Sequence, residues 1–107
     1  MTTYDFGTLV LLNFPHTNLQ QAGKRPALVV HDEGDDDVIV ARITSQTYTG
    51  RRDFEIINWK QMGLIFPSWI RVGKLATLEK NIVLRVIGKL PQTDCAKIKD
   101  ILKDMFK

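Results

Sequence analysis

Hydrophobic residues fall along this chain in short blocks, each closed by glycine, proline or a polar cluster. Phe6–Pro15 (FGTLVLLNFP) is rich in β-formers and bounded by Gly7 and Pro15, which predicts a first strand. Its centre, Leu9-Val10-Leu11-Leu12, is apolar without alternation, as in a strand buried on both faces. His16–Gly23 is small and polar and reads as a loop. Pro26–His31 predicts a second strand, Glu33–Asp37 an acidic turn, and Val38–Ser45 (VIVARITS) a third strand, β-branched and partly alternating. After a Gln46–Asp53 loop come a short strand at Phe54–Ile57, a helical turn at Trp59–Gly63 and a strand at Ser68–Val72. Leu75–Glu79 fits either strand or turn, and Ile82–Leu90 is a last strand with Gly88 a candidate bulge.

The period changes near Gln92. Ile98, Ile101, Leu102 and Met105 recur at helical spacing, with Lys97, Lys99, Asp100, Lys103 and Asp104 on the other side. Thr93 is the candidate cap, and Asp94 puts a carboxylate in the first turn, where it suits the helix dipole. Many short strands followed by one amphipathic helix predict a mainly β fold. The expected architecture is one domain over 1–107, a small barrel over about 6–90 with a helix over about 92–106 packed on it.

Composition narrows the function classes. A chain of 107 residues, 44% hydrophobic and 25% charged, supports one modest core. A net charge of +3 permits nucleic-acid binding without requiring it. One cysteine, Cys95, excludes an intrachain disulfide and a cysteine-based metal cluster. The first residues lack the basic and apolar regions of a signal peptide, and no apolar run approaches a membrane span, so the expected place is the cytoplasm, with no membrane partner. Phosphate-loop, dinucleotide and Gly-x-Ser-x-Gly signatures are missing, and His16 and His31 have no metal-site spacing. Neither a metal nor a cofactor is expected.

Phosphate-directed groups at strand ends are the chemistry that remains. In Gly23-Lys24-Arg25-Pro26 the proline fixes its own φ and pushes Arg25 toward an extended conformation. A guanidinium on so stiff a joint can be aimed at a phosphate, whose oxygens it grips with a planar fork of donors. Thr44 and Ser45 close the third strand, Arg51 and Arg52 lie just beyond it, and Arg71 sits between Ile70 and Val72, on the opposite side of its strand from both. If the second and third strands form an antiparallel hairpin, Arg25 and Thr44 reach the same end of the sheet, an arrangement suited to a phosphodiester.

These segments, in this order, resemble the MazF/PemK/Kid-like toxins of toxin–antitoxin pairs. The resemblance is carried by Gly7–Pro15, Gly23–Val30, Ile43-Thr44-Ser45-Gln46, Gly63–Arg71, Lys74–Leu78 and Ile87–Leu90. It implies an SH3-like barrel, a homodimer, and a metal-independent ribonuclease that cuts single-stranded RNA at short sequences. It also implies a cognate antitoxin that covers the RNA groove. Arg25 matches the family's catalytic arginine, Thr44 its catalytic threonine, and Arg71 an active-site arginine of some members. Ser45 accompanies Thr44 in RNA contact, and Lys24, Gln46, Tyr48, Arg51 and Arg52 complete the expected RNA-binding set, with Trp59 a further surface for a base. Gly73 stands where some members carry an aspartate proposed for acid–base work, and His16 is the candidate base. The same barrel also serves gyrase-inhibiting toxins, and a silent barrel that binds only RNA or an antitoxin is the other alternative. Lys24-Arg25-Pro26 together with Ile43–Gln46 favours the ribonuclease.

Overall fold

In a computed structural model, which describes residues 2–14 and 23–107, the strands are β1 (Thr8–Phe14), β2 (Gly23–His31), β3 (Asp37–Thr44), β4 (Asp53–Ile56), β5 (Ser68–Glu79) and β6 (Val83–Lys89). A helix, α1 (Gln92–Met105), follows them. They form one antiparallel sheet in the order β4-β5-β3-β2-β1-β6.

Alternation along the strands sorts the side chains onto two faces. Leu9, Leu28, Ala41, Ile43, Ile56, Ile70 and Val72 point to one side and form a single cluster with Met62, Leu64, Leu90 and Ile98, against which Phe54 and Ile87 also pack. Every strand thus touches one core, so the sheet curls around it into an SH3-like barrel. The curl stays open between β4 and β6, and the Asn58–Leu64 turn packs against β6 there. That contact depends on two glycines: a Cβ on Gly63 (φ +81) would lie 2.5 Å from the Ile87 carbonyl oxygen, and one on Gly88 2.6 Å from that of Met62. Helix α1 lays Ile98, fully buried, on the same core, with Ile101, Leu102 and Met105 beside it. Trp59 also packs on this core.

The opposite face carries a second cluster of Val10, Leu12, Ala27, Val29, Val38 and Val40. The unbroken apolar run in β1 therefore has the predicted physical cause, burial on both sides.

Three local readings change. Leu75–Glu79 is strand, because β5 continues through a register shift that places Leu75 opposite Ala41 and Arg71 opposite Arg42. β6 has two irregularities, with Ile87 the extra residue between the Leu9–Gly88 and Val10–Val86 pairs and Leu84 the extra residue between Leu11–Arg85 and Leu12–Val83. Helix α1 is capped by Pro91 rather than Thr93: Pro91 (φ −57, ψ 154) makes the extended approach, no side chain caps the end, and Thr93 is already helical. Asp94 does occupy the first turn.

Candidate active site

The site lies on the second face of the sheet, at the end opposite the Asp32–Asp36 turn. Register places four residues in a row across the strands: Ala27 on β2, Arg42 on β3, Arg71 on β5 and Asp53 on β4. The next row has Thr44 opposite Trp69, and Trp69 opposite Glu55. The β2–β3 pairing ends at Ala27–Arg42, and Arg25 and Thr44 lie two residues beyond it on their strands, at the same end of the sheet. Three guanidinium-bearing residues thus lie around Thr44, Arg25 at the same end of β2, Arg42 two positions along its own strand and Arg71 on the diagonal, all within reach of long side chains. Lys24, Arg25, Arg42, Thr44 and Ser45 line one cavity.

A strand threonine usually makes no further commitment, but Thr44 does. Its Oγ1 accepts the Gln46 backbone N–H at 3.2 Å, so its own O–H remains a donor toward the cavity chemistry. Gln46 in turn accepts the Tyr48 hydroxyl through Oε1 at 2.9 Å. The Tyr48 ring carries the Arg71 guanidinium, whose Cζ stands 3.7 Å from the ring centroid. Arg71 Nε donates to Asp53 Oδ1 at 3.1 Å, and Asp53 Oδ2 accepts the Gly50 N–H at 2.9 Å. Asp53 is almost fully buried, its side chain 6% exposed. Stacking on one plane and a charge pair on one edge hold Arg71 in a single orientation, with its Nη groups left for another acceptor.

The remaining predicted residues are engaged differently. Arg51 and Arg52 both pair with Asp104 near the end of α1, and Arg52 also donates to the Ile101 carbonyl at 3.4 Å. Hydrogen bonds from Arg52 first, then Lys107 and Arg51, hold the Asp104 carboxyl below the usual carboxylate range. Arg51 and Arg52 also line a cavity shared with Asp53, Arg71, Gly73 and Lys74. His16 lies outside the described residues. His31 pairs with Glu33 at 2.7 Å on the exposed rim, away from the arginines.

The family model for the PemK-like, MazF-like toxins of type II toxin–antitoxin systems matches residues 5–106. The chain belongs to this family. Comparison with curated proteins returns no match. Among solved structures, the fold is similar to a MazE–MazF crystal structure from Deinococcus radiodurans at 18% identity, covering 99% of this chain and 97% of that one with a TM-score of 0.79. It is also similar to the Mycobacterium tuberculosis toxin MazF-mt6 at 18% identity, 92% and 95% coverage and a TM-score of 0.76. A mycobacterial endoribonuclease in complex with its cognate antitoxin matches at 18% identity, 91% and 88% coverage and a TM-score of 0.73.

In this PemK-like, MazF-like toxin, two site residues escaped the sequence reading, Arg42 and Asp53. Arg42 carries the same signal as Arg71, a cation flanked by two apolar strand residues, Ala41 and Ile43. Asp53 had no signal, because its pairing with Arg71 arises from strand register across 18 residues.

Proposed function

We propose that this toxin is a metal-independent endoribonuclease that cleaves single-stranded RNA and so halts translation. The observation that carries the reading is Arg42 directly opposite Arg71 on the face that holds Arg25 and Thr44. Like charges facing each other across strands cost stability, and a bound anion turns that cost into affinity. Among the described residues, Arg25 and Arg42 have no carboxylate partner, whereas Arg71 is held by Asp53. The solved relatives named as endoribonucleases, and those bound to an antitoxin, support the same substrate class and a cognate antitoxin as partner. A homodimer acting in the cytoplasm completes the proposal.

In the proposed reaction the RNA's 2′-oxygen attacks phosphorus, the bond to the 5′-oxygen breaks, and a 2′,3′-cyclic phosphate and a 5′-hydroxyl result. Charge accumulates on the non-bridging oxygens, where a guanidinium that keeps its proton at ordinary pH is most effective. Arg25 takes that role. Thr44, its oxygen already accepting from Gln46, donates its O–H to a phosphate oxygen. Arg71, fixed by Tyr48 and Asp53, adds charge or supplies the proton to the leaving oxygen. His16 is the proposed base for the 2′-hydroxyl, with positioning alone as the alternative.

The test uses purified protein, defined single-stranded RNA, a chelator and analysis of product ends. Cyclic phosphate and 5′-hydroxyl ends are expected. Intact RNA that stays bound points instead to a silent barrel, and gyrase inhibition without cleavage to a poison of the same fold.

Arg42 gives a prediction with opposite signs in two measurements. Arg42→Gln removes the like-charge opposition, so it is expected to raise folding stability by about a few tenths of a kcal/mol. It also removes one phosphate contact, so RNA binding weakens and the slope of log affinity against log salt falls by about 0.7. Thermal unfolding and salt-dependent anisotropy check the pair. Unchanged RNA affinity and slope would remove Arg42 from the site.

A further inference from the structure

The residues available for reading a base are mostly spoken for. The Tyr48 ring carries Arg71, and Arg51 and Arg52 are drawn toward Asp104. A different aromatic stands open beside the reactive centre. Phe66 is 61% exposed in the segment leading into β5, an unusual expense for a large apolar ring. It lines the cavity of Lys24, Arg25 and Thr44, and it also lines an adjoining depression with Ser45, Thr47, Pro67 and Trp69. Ser45 and Phe66 belong to both hollows, so the two adjoin.

The two hollows differ in chemistry. The first has cations and suits a phosphate. None of the five residues lining the second is charged: two aromatic rings and a proline form its apolar walls, and two hydroxyls supply its polar groups. A phosphate would lose its hydration there without a counter-charge. A flat heterocycle would stack on the ring and present its edge to hydroxyls that donate or accept as needed. The backbone that carries the ring is anchored, since the Phe66 carbonyl accepts the Ser68 hydroxyl at 2.8 Å and Ser68 is buried in β5. Trp69 is placed beside Thr44 by direct strand pairing.

We propose that the depression between Phe66 and Trp69 is a nucleobase subsite, which seats the base of the nucleotide adjoining the cleaved phosphodiester with Phe66 as its stacking platform. This rests on the ribonuclease reading, and it commits the exposed apolar patch at Ile65 and Phe66 to RNA instead of to a protein.

Wild-type protein first locates the cut in a mixed-sequence single-stranded RNA, and a copy with a 2′-O-methyl group at that position then serves for affinity. Phe66→Ala is expected to weaken binding about 5- to 100-fold, the range for losing one stacked base, and Phe66→Trp to keep it. An abasic nucleotide next to the cut should cost wild type the same factor and cost Phe66→Ala nothing more. Circular dichroism and the thermal transition should not move, because the side chain is exposed. Equal affinity of Phe66→Ala and wild type, or an equal loss on intact and abasic RNA, overturns the subsite. If wild type leaves the RNA intact but binds it more tightly than Phe66→Ala does, Phe66 is still a base platform, and both the ribonuclease reading and the placement beside a cleaved phosphodiester fail. If wild type and Phe66→Ala cleave and bind alike, the ribonuclease stands, the subsite fails, and the patch passes to a protein partner.

Discussion

Arg25→Ala is expected to slow cleavage of single-stranded RNA by at least about 100-fold, the usual cost of removing one donor aimed at developing charge. The thermal transition should stay in place. Arg25 is exposed, it has no carboxylate partner among the described residues, and the backbone around it is set by Pro26 and by the β1 pairing of Leu12 with Arg25, neither of which needs the side chain. Arg25→Lys sharpens the test. It keeps the charge and loses the planar fork, so most of the activity should still disappear if two phosphate oxygens are gripped at once. Full recovery in Arg25→Lys would mean that Arg25 contributes only charge, and full activity in Arg25→Ala, measured with chelator present, would take Arg25 out of the reaction altogether. RNA binding should fall less than rate in both variants, because Arg42 and Lys24 still hold the strand.

The parts of this site that were legible in the sequence are those set by local chemistry. Gly23-Lys24-Arg25-Pro26 announces a cation on a stiff joint, but β2 begins at Gly23, three residues before the expected Pro26, so Arg25 lies inside the strand, paired with Leu12. Antiparallel pairing of β2 with β3 is enough to bring Arg25 and Thr44 to the same end of the sheet. What stayed hidden depends on contacts between distant residues. Asp53 meets Arg71, and Asp104 meets Arg51 and Arg52 across about half the chain, so no window of sequence contains both partners. Leu75–Glu79 was ambiguous for a related reason. The break at Val72–Lys74 shifts the alternation mid-strand, so a period-2 test sees two short fragments where the sheet has one strand of 12 residues. Thr93 misled as a cap because Pro91, two residues earlier, had already set the approach to the helix.

The largest effect on stability is expected at the other end of the β2–β3 hairpin, far from the arginines. The Asp32 side chain is fully buried and pairs with Lys80 Nζ at 2.8 Å, while Lys80 is only 9% exposed. Asp32 also accepts the Tyr4 N–H at 2.7 Å and the Gly34 N–H at 2.8 Å. Lys80 reaches the Thr2 carbonyl at 3.0 Å, so the pair ties the first residues, the β2–β3 turn and the turn after β5 into one knot. Burial alone pushes the Asp32 carboxyl up, but Lys80 and the two N–H groups outweigh it and hold the pKa at about 2 against an ordinary 3.8. Lys80→Met strands that carboxylate, and the expected loss is about 3 kcal/mol at neutral pH, or a drop in Tm of more than about 10 °C. The pH dependence fixes the cause. A depressed folded-state pKa gives stability that is complete above the unfolded value near 3.8 and lost as pH falls toward 2. In wild type that stability amounts to about 2 kcal/mol, disappearing between about pH 4 and 2. In Lys80→Met the carboxyl, no longer held down, takes up its proton at higher pH, so the gap between variant and wild type should narrow on acidification. Asp32→Asn combined with Lys80→Met should recover part of the loss, because no charge is then stranded, although the single amide oxygen can accept from only one of Tyr4 and Gly34, which use different Asp32 oxygens. Denaturant unfolding at several pH values decides it: a gap that stays constant with pH, or a double variant as unstable as Lys80→Met, would assign the loss to packing of the lysine stem instead of to the stranded charge. Cleavage per folded molecule should be unchanged throughout, since the knot and the arginines occupy opposite ends of the same two strands.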